Sequence, residues 1–548
     1  MAGPAVASAS SDNPLVADVP RVPLTDLGRA PSTSPIRVAL TLQYRNKQQL
    51  DALVEMQSDP ASPLFQHWLT PAQFSANFAP TPADYARTIG ELQRGGFRVV
   101  QTYANRTVVD AVAPVGSVER FFGTQIHRVM QPGQGVRYAN ALPARAPLAL
   151  SNLVLNVDGL SSLKLVHADY AKVAHKGGAG PDLAGPPLKG PVNPEYGIAG
   201  YGPLAFSAGY DLPQQHAIPN QKGSYYMGSG RASGVVIDAD FLDSDLTAFL
   251  KYFNVTRTGP ATVRVPIDGG PPKGDGSSDS IETTLDVETV VSNAPGTALY
   301  VYEFPNFDSN QYITDAYNKV VSDNLVDTAN SSFGGCDKDQ ASDAKAWDAI
   351  AEQGASLGIT FHASTGDGGS DDGCTSAPAS GPHFVAVGGT TLNVTSNGTW
   401  SSETAWSGSG GGVSTVFALP SWQKKVKNVI TSGRNLPDVA FDANPDTGAA
   451  FYYGGSWDSD YDPVGGTSLS SPIFGAAQTE IDQVHGGRFG LAAQKIFVFF
   501  KKDGYGSGSD LFFHDITSGS NGEYSAKTGY DQVTGIGSMD VWNFEQKQ

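Results

Sequence analysis

Cysteine is almost missing from this sequence, with two residues in a chain of 548. That excludes a disulfide-scaffold protein and any multi-cysteine zinc or iron–sulfur module. Long apolar runs are missing too: no stretch approaches the roughly 18 uninterrupted apolar residues of a membrane-spanning helix. Charge is sparse at 16% of residues and has no basic excess, the net charge being −18. An acidic, thinly charged chain is a poor match to phosphate backbones, so nucleic acid is not an expected partner.

What is present suffices for folded domains. Apolar residues make up 40% and aromatics 10%, enough for real cores, and the length exceeds what one core organises. Charge is unevenly spread. Residues 1–190 hold 17 basic and 13 acidic side chains, a net of +4, which leaves −22 for the remainder. Two such pieces are expected to attract at neutral pH, and acid is expected to loosen that hold by protonating carboxylates.

Residues 1–35, rich in Ala, Ser and Pro, read as a flexible tail. Across 36–170, strands at 36–42, 97–103 and 107–112 mix with helices at 47–56, at 82–94 and from Val115, which predicts a small α+β sandwich. Thr81 suits the N-cap of the second helix and Pro82 its first position. A Gly/Pro-rich run within 171–200 reads as a linker open to proteolysis. From 201 to 548 strands alternate with helices, which predicts a doubly wound, mostly parallel sheet with function at the carboxyl ends of its strands.

Three segments carry chemistry. Gly465-Gly466-Thr467-Ser468 leads into a predicted helix and offers Ser468 as a nucleophile, or as an ordinary helix cap. No upstream histidine sits in a His-Gly-Thr setting, so a histidine base is poorly supported. Glu282 and Asp286 fall at i and i+4 on a predicted helix, where like charges favour sharing a proton; the plainer alternative is a solvated helix face. Asp367 lies in a glycine-flanked turn after a strand, placed to donate a hydrogen bond to an oxyanion when protonated, or simply to make a turn.

In order and spacing, Glu282-x-x-x-Asp286, Gly366-Asp367-Gly368 and Gly466-Thr467-Ser468-x-Ser470-x-Pro472 together resemble the sedolisin family of serine-carboxyl peptidases. Gln66-His-Trp-Leu-Thr-Pro is similar to a stretch of its activation prodomain. The resemblance implies an α/β, subtilisin-like domain at 201–548, preceded by an α+β ferredoxin-like prodomain at 36–170 and a linker at 171–200 with the maturation site. It implies Ser468 as nucleophile, Glu282 as base, Asp286 as its orienting partner and Asp367 in the oxyanion hole. Carboxylates in these roles suit acid, as histidine suits neutrality. Ser332, Phe333 and Gly334 would hold substrate backbone, with Phe333 where relatives often have Trp. Asp238 is a candidate extension of the proton network. One structural calcium ion would be bound by Asp515 and Asp531 and by the carbonyls of Ile516, Lys527 and Gly529. Cys336 and Cys374 flank the proposed site as a disulfide or as two free thiols.

The function so implied is an acid-acting, secreted, self-processing endopeptidase precursor, its signal peptide absent from this chain. It is expected to be monomeric, with polypeptide substrates, its own prodomain as inhibitor and no membrane partner. A tripeptidyl-peptidase of the same family is the alternative enzyme; an inactive calcium-stabilised binding protein is the alternative of another class.

Overall fold

The computed structural model describes residues 13–172, 200–273, 280–370, 373–457 and 463–548. Most of the expected linker, 173–199, lies outside these residues. The amino-terminal unit is built on a four-stranded antiparallel sheet in the order Arg98–Thr102, Val108–Pro114, Pro35–Leu42, Val154–Asp158. Helices precede the second strand and follow the third, which is the ferredoxin-like arrangement. The local signals are those of the sequence: Thr81 accepts from the Asp84 N–H, and Thr70 and Gln73 form a reciprocal capping box. Residues 13–35 correct the expectation of a tail. Leu15–Ala17 pairs with Ala144–Arg145, and Thr25–Arg29 pairs with Ile126–Gln131. Both strands are short and their partners distant in sequence, so no local pattern announces them.

The larger unit is an eight-stranded sheet. Its path runs Val263–Pro266, Ala298–Glu303, Ala232–Ile237, Thr328–Ser331, Thr360–Ser364, Phe384–Val394, Trp400–Ala405, and Val439–Asp442 also pairs with Phe384–Val394. All of these pairings are parallel except that of Trp400–Ala405. The helices Ser280–Asn293 and Thr467–His485 pack against each other. Every residue of the first is buried.

The two units meet over a surface that combines shape with acid. Trp68 lies against Gly358 and Gly490, where an added Cβ would fall 2.8 Å and 2.5 Å from the indole. The buried Lys495 ammonium sits over the rings of Phe65 and Trp68. The expected attraction is present but locally outnumbered. Arg37 pairs with Asp110 and Asp268 and lies 3.5 Å from Asp315. Lys47 lies between Asp51 and Glu352. Asp158 faces Asp343, with the Asn156 amide donating to both at 3.0 and 3.1 Å. Acid therefore does not simply loosen this surface. Burial pushes Asp110 up to about 6 despite Arg37, and pushes Glu352 up to about 8 despite His383 and Lys47. Burial, then Asp343, raises Asp158 well above the carboxylate range.

These acids bind protons more tightly folded than unfolded. The stability they contribute is complete near pH 4 and is lost as pH rises through the folded values, near 6 for Asp110 and near 8 for Glu352. Lys495, pushed down to about 7 by burial, opposes them above that pH. Calorimetry of the uncut Ser468→Ala chain should therefore show a melting temperature a few degrees lower at pH 8 than at pH 6, and Glu352→Gln should narrow the gap. A melting temperature that rises over the same interval would contradict this account.

Candidate active site

Glu282 and Asp286 lie one turn apart, and both are 0% exposed, so the solvated-face alternative is excluded. Asp286 Oδ1 accepts a 2.6 Å hydrogen bond from Ser332 Oγ, which itself accepts from Asn330 Nδ2 at 2.8 Å. Burial pushes Asp286 up to about 8, Ser332 and Asn330 holding it down in part. Among the described residues no donor reaches either oxygen of Glu282 or Asp286 Oδ2. Burial and then the Asp286 charge raise Glu282 well above its ordinary range; the neighbouring Ser468 hydroxyl works the other way. The arrangement can hold a proton between two carboxyls.

Ser468 is the second residue of the Thr467–His485 helix and is fully buried. The chain enters that helix through Gly466 at φ 99°, where a Cβ would lie 2.5 Å from Asp367 Oδ2; only glycine combines that dihedral with that approach. Asp367 Oδ1 accepts from the Thr467 N–H at 2.7 Å and from its hydroxyl at 2.9 Å. Its other oxygen is buried and has no hydrogen-bond partner among the described residues. Burial, then the charge of Asp169, raises Asp367 well above the carboxylate range against the Thr467 bonds. The carboxyl thus has one oxygen anchored and one able to carry a proton into the cleft.

The cleft is filled by the chain itself, as expected of a prodomain that acts as inhibitor, though the sequence reading did not name the residues that fill it. His167–Ala168 pairs antiparallel with Phe333–Cys336, and Ala171–Lys172 pairs with Val464–Gly465. Between the two pairings, the Asp169 N–H donates to the Ser332 carbonyl at 3.2 Å, and the Ser468 N–H donates to the Asp169 carbonyl at 3.0 Å. Ser468 Oγ donates to the Ser332 carbonyl at 3.2 Å. The one sequence signal is position: residues 163–172 lack glycine and proline and immediately precede the Gly/Pro-rich run.

Ser332, Phe333 and Gly334 lie along this segment, the Phe333 ring turned into a buried cluster with Phe304 and Phe307. Cys336 and Cys374 are joined, their Cα atoms 5.7 Å apart, which resolves the choice left by the sequence. Asp238 follows the Ala232–Ile237 strand, and Thr283 Oγ1 donates to the next carbonyl, Ala239, at 2.9 Å. His362 is buried under the Ser468 helix, against Ser471 Oγ at 3.0 Å, and burial pushes it down to about 3, so it is a neutral packing residue. Asp515 and Asp531 come together at one loop: Gly529 N–H donates to Asp515 at 3.1 Å and Lys527 N–H to Asp531 at 3.0 Å. A second acidic group, Asp110, Asp268 and Asp315, already has the Arg37 guanidinium as its cation.

Comparison with known proteins places the chain. Residues 24–163 match the family described as the pro-kumamolisin activation domain. The chain is similar to sedolisin of Pseudomonas sp. (strain 101), 31% identical over 538 residues, which is 92% of this chain and 85% of that protein. It is similar to kumamolisin of Bacillus sp. (strain MN-32), 28% identical over 93% of this chain and 91% of that one. Among solved structures, Pseudomonas sedolisin, a serine-carboxyl proteinase complexed with two molecules of pseudo-iodotyrostatin, aligns with a TM-score of 0.55 at 29% identity, over 64% of this chain and 98% of the other. With identity sustained over most of both chains and an activation domain in front of a subtilisin-like sheet, the chain belongs to the sedolisin family of serine-carboxyl peptidases.

Proposed function

We propose that this is the precursor of a secreted, acid-acting endopeptidase that cuts polypeptides through an acyl-enzyme on Ser468 and processes itself. The observation that carries the reading is the extended peptide already lying across Ser468, with a carbonyl oxygen on the Ser468 N–H. Ser468 Oγ attacks such a carbonyl, Glu282 takes its proton and returns it to the leaving nitrogen, and Asp286 steadies Glu282 by sharing charge. The protonated Asp367 and the Ser468 N–H receive the oxyanion. The joined cysteines accord with an oxidising, extracellular setting. An endopeptidase is favoured over a tripeptidyl-peptidase because the chain continues from Asp169 back through Val166 into the prodomain, without a dead end after three residues.

One calcium ion would be held at the carboxyl end by Asp515 and Asp531, which one loop brings together, with the carbonyls of Ile516, Lys527 and Gly529 that the family resemblance implies, an all-oxygen set. Bound there, calcium would brace the loop system whose Asn521 carbonyl accepts from the Ser370 N–H at 2.8 Å, three residues beyond Asp367. Chelation should lower the melting temperature of the Ser468→Ala chain, with recovery on adding calcium, and Asp515→Asn should abolish the response. An equal response in that variant would move the ion elsewhere.

For the chemistry, peptide hydrolysis by the matured enzyme at pH 4 should fall about 10²–10⁴-fold in Glu282→Gln and about 10²–10³-fold in Asp367→Ala. Activity should decline as pH rises and Asp367, held well above the carboxylate range by burial and then by Asp169, loses the proton it offers the oxyanion. Full activity in Glu282→Gln would remove the carboxylate base from the mechanism.

A further inference from the structure

Residues 167–172 occupy the cleft in a single register, and that register names a bond. Non-prime pairing is antiparallel, His167 opposite Gly334 and Ala168 opposite Phe333, while Ala171 opposite Gly465 continues on the far side of the serine. The residue between, Asp169, gives its N–H to Ser332 and takes the Ser468 N–H on its carbonyl. A Cβ on Gly466 would lie 2.4 Å from that carbonyl oxygen and 2.5 Å from Asp367 Oδ2, so the oxygen and the acid face one point. The carbonyl that meets those two groups belongs to the residue whose carboxyl side is cut.

The Asp169 side chain is seated as well as its backbone. It is 2% exposed, and its Oδ2 accepts from Ser364 Oγ at 2.8 Å. Its Oδ1 lies 3.4 Å from His167 Nδ1, within the bound segment itself. Gly334 gives it room: a Cβ there would fall 1.9 Å from Ser376 Oγ and 3.3 Å from Asp169 Oδ2. Beyond it the cavity extends to about 420 Å³, bordered by Gly335, Gly366 and the Cys336–Cys374 bridge. Volume of that size does not select a short side chain; the hydroxyl donor does.

We propose that Asp169–Tyr170 is the first bond this precursor cuts, and that Ser364 makes the enzyme favour an aspartyl side chain on the amino side of the cut. The inference rests on Ser468 acting as proposed above. Ser468 Oγ bonds to the Asp169 carbonyl carbon, and its proton passes to Glu282. The bond to Tyr170 breaks as that proton reaches the Tyr170 nitrogen. Water adds to the resulting ester, its proton returns through Glu282 to Ser468, and Asp169 leaves with a free α-carboxyl.

The purified full chain, brought to pH 4 and sampled by intact mass and amino-terminal sequencing, should first yield a fragment ending at Asp169 and one beginning at Tyr170. Asp169→Leu should slow that cut about tenfold, the worth of one hydrogen bond. In the matured enzyme, Ser364→Ala should lower the ratio of kcat/KM for Asp-containing over Leu-containing peptides about tenfold; a merely structural serine would depress both alike and leave the ratio standing. A first cut that depends on Ser468 but falls elsewhere, within 173–199 for example, overturns this proposal and leaves the peptidase reading intact. An unchanged ratio in Ser364→Ala overturns the pocket assignment. A chain cut equally well as Ser468→Ala would take down the mechanism on which both stand.

Discussion

Glu282 and Asp286 sit in a helix with no solvent-facing side, and no described donor reaches Glu282. A carboxylate buried away from bulk solvent, with no ion pair to a described cation, is favoured in its protonated form. Much of the site follows from that constraint. Ser332, itself held by Asn330, steadies one oxygen of Asp286, and the other has no hydrogen-bond partner among the described residues. Asp367 repeats the pattern, one oxygen fixed by Thr467 and the other unmet. His362, close beneath the Ser468 helix, is turned to Ser471 Oγ rather than to Ser468 and packs against Phe474.

The same physics extends to the contact between the two units. Net charges of +4 and −22 suggest simple attraction. Yet the contact surface gathers Asp110 with Asp315, Asp158 with Asp343, and Glu352 with the half-exposed Asp51, around Arg37 and Lys47, while Arg137 and Lys164 meet Asp308 elsewhere on it. Whole-domain charge governs approach at long range, whereas desolvation governs groups once buried. Low pH is thus compatible with both an assembled precursor and a protonated site, and separation of the units falls to the breaking of the chain rather than to lost charge.

Local patterns were legible where local physics decides. The helix at 82–94 with its Thr81 cap, the helix at Ser280–Asn293 and the alternation of strands were all readable from periodicity and caps. The trio Glu282, Asp367 and Ser468 was legible as a set only through the resemblance that the three motifs, in their order and spacing, bear to the sedolisin family. What stayed hidden depends on distant pairing. The strands at 15–17 and 25–29 are too short to signal themselves. The seat of 167–172 is made by backbone hydrogen bonds, to which side-chain identity gives little clue. The inward turn of Phe333 needs the surrounding aromatic cluster, and Ser364 acquires a role only when Asp169 arrives beside it.

That residues 167–172 belong to the same chain sets the strength of their hold by connectivity rather than by affinity. A tethered ligand acts at an effective concentration of about millimolar, whatever its intrinsic binding constant. A weak peptide can therefore keep the cleft closed to every dilute competitor while the tether lasts. Once the tether is cut that advantage is lost, and what keeps the segment in place is the contact between the two units, so the breaking of one bond changes the strength of the block without altering any contact within it.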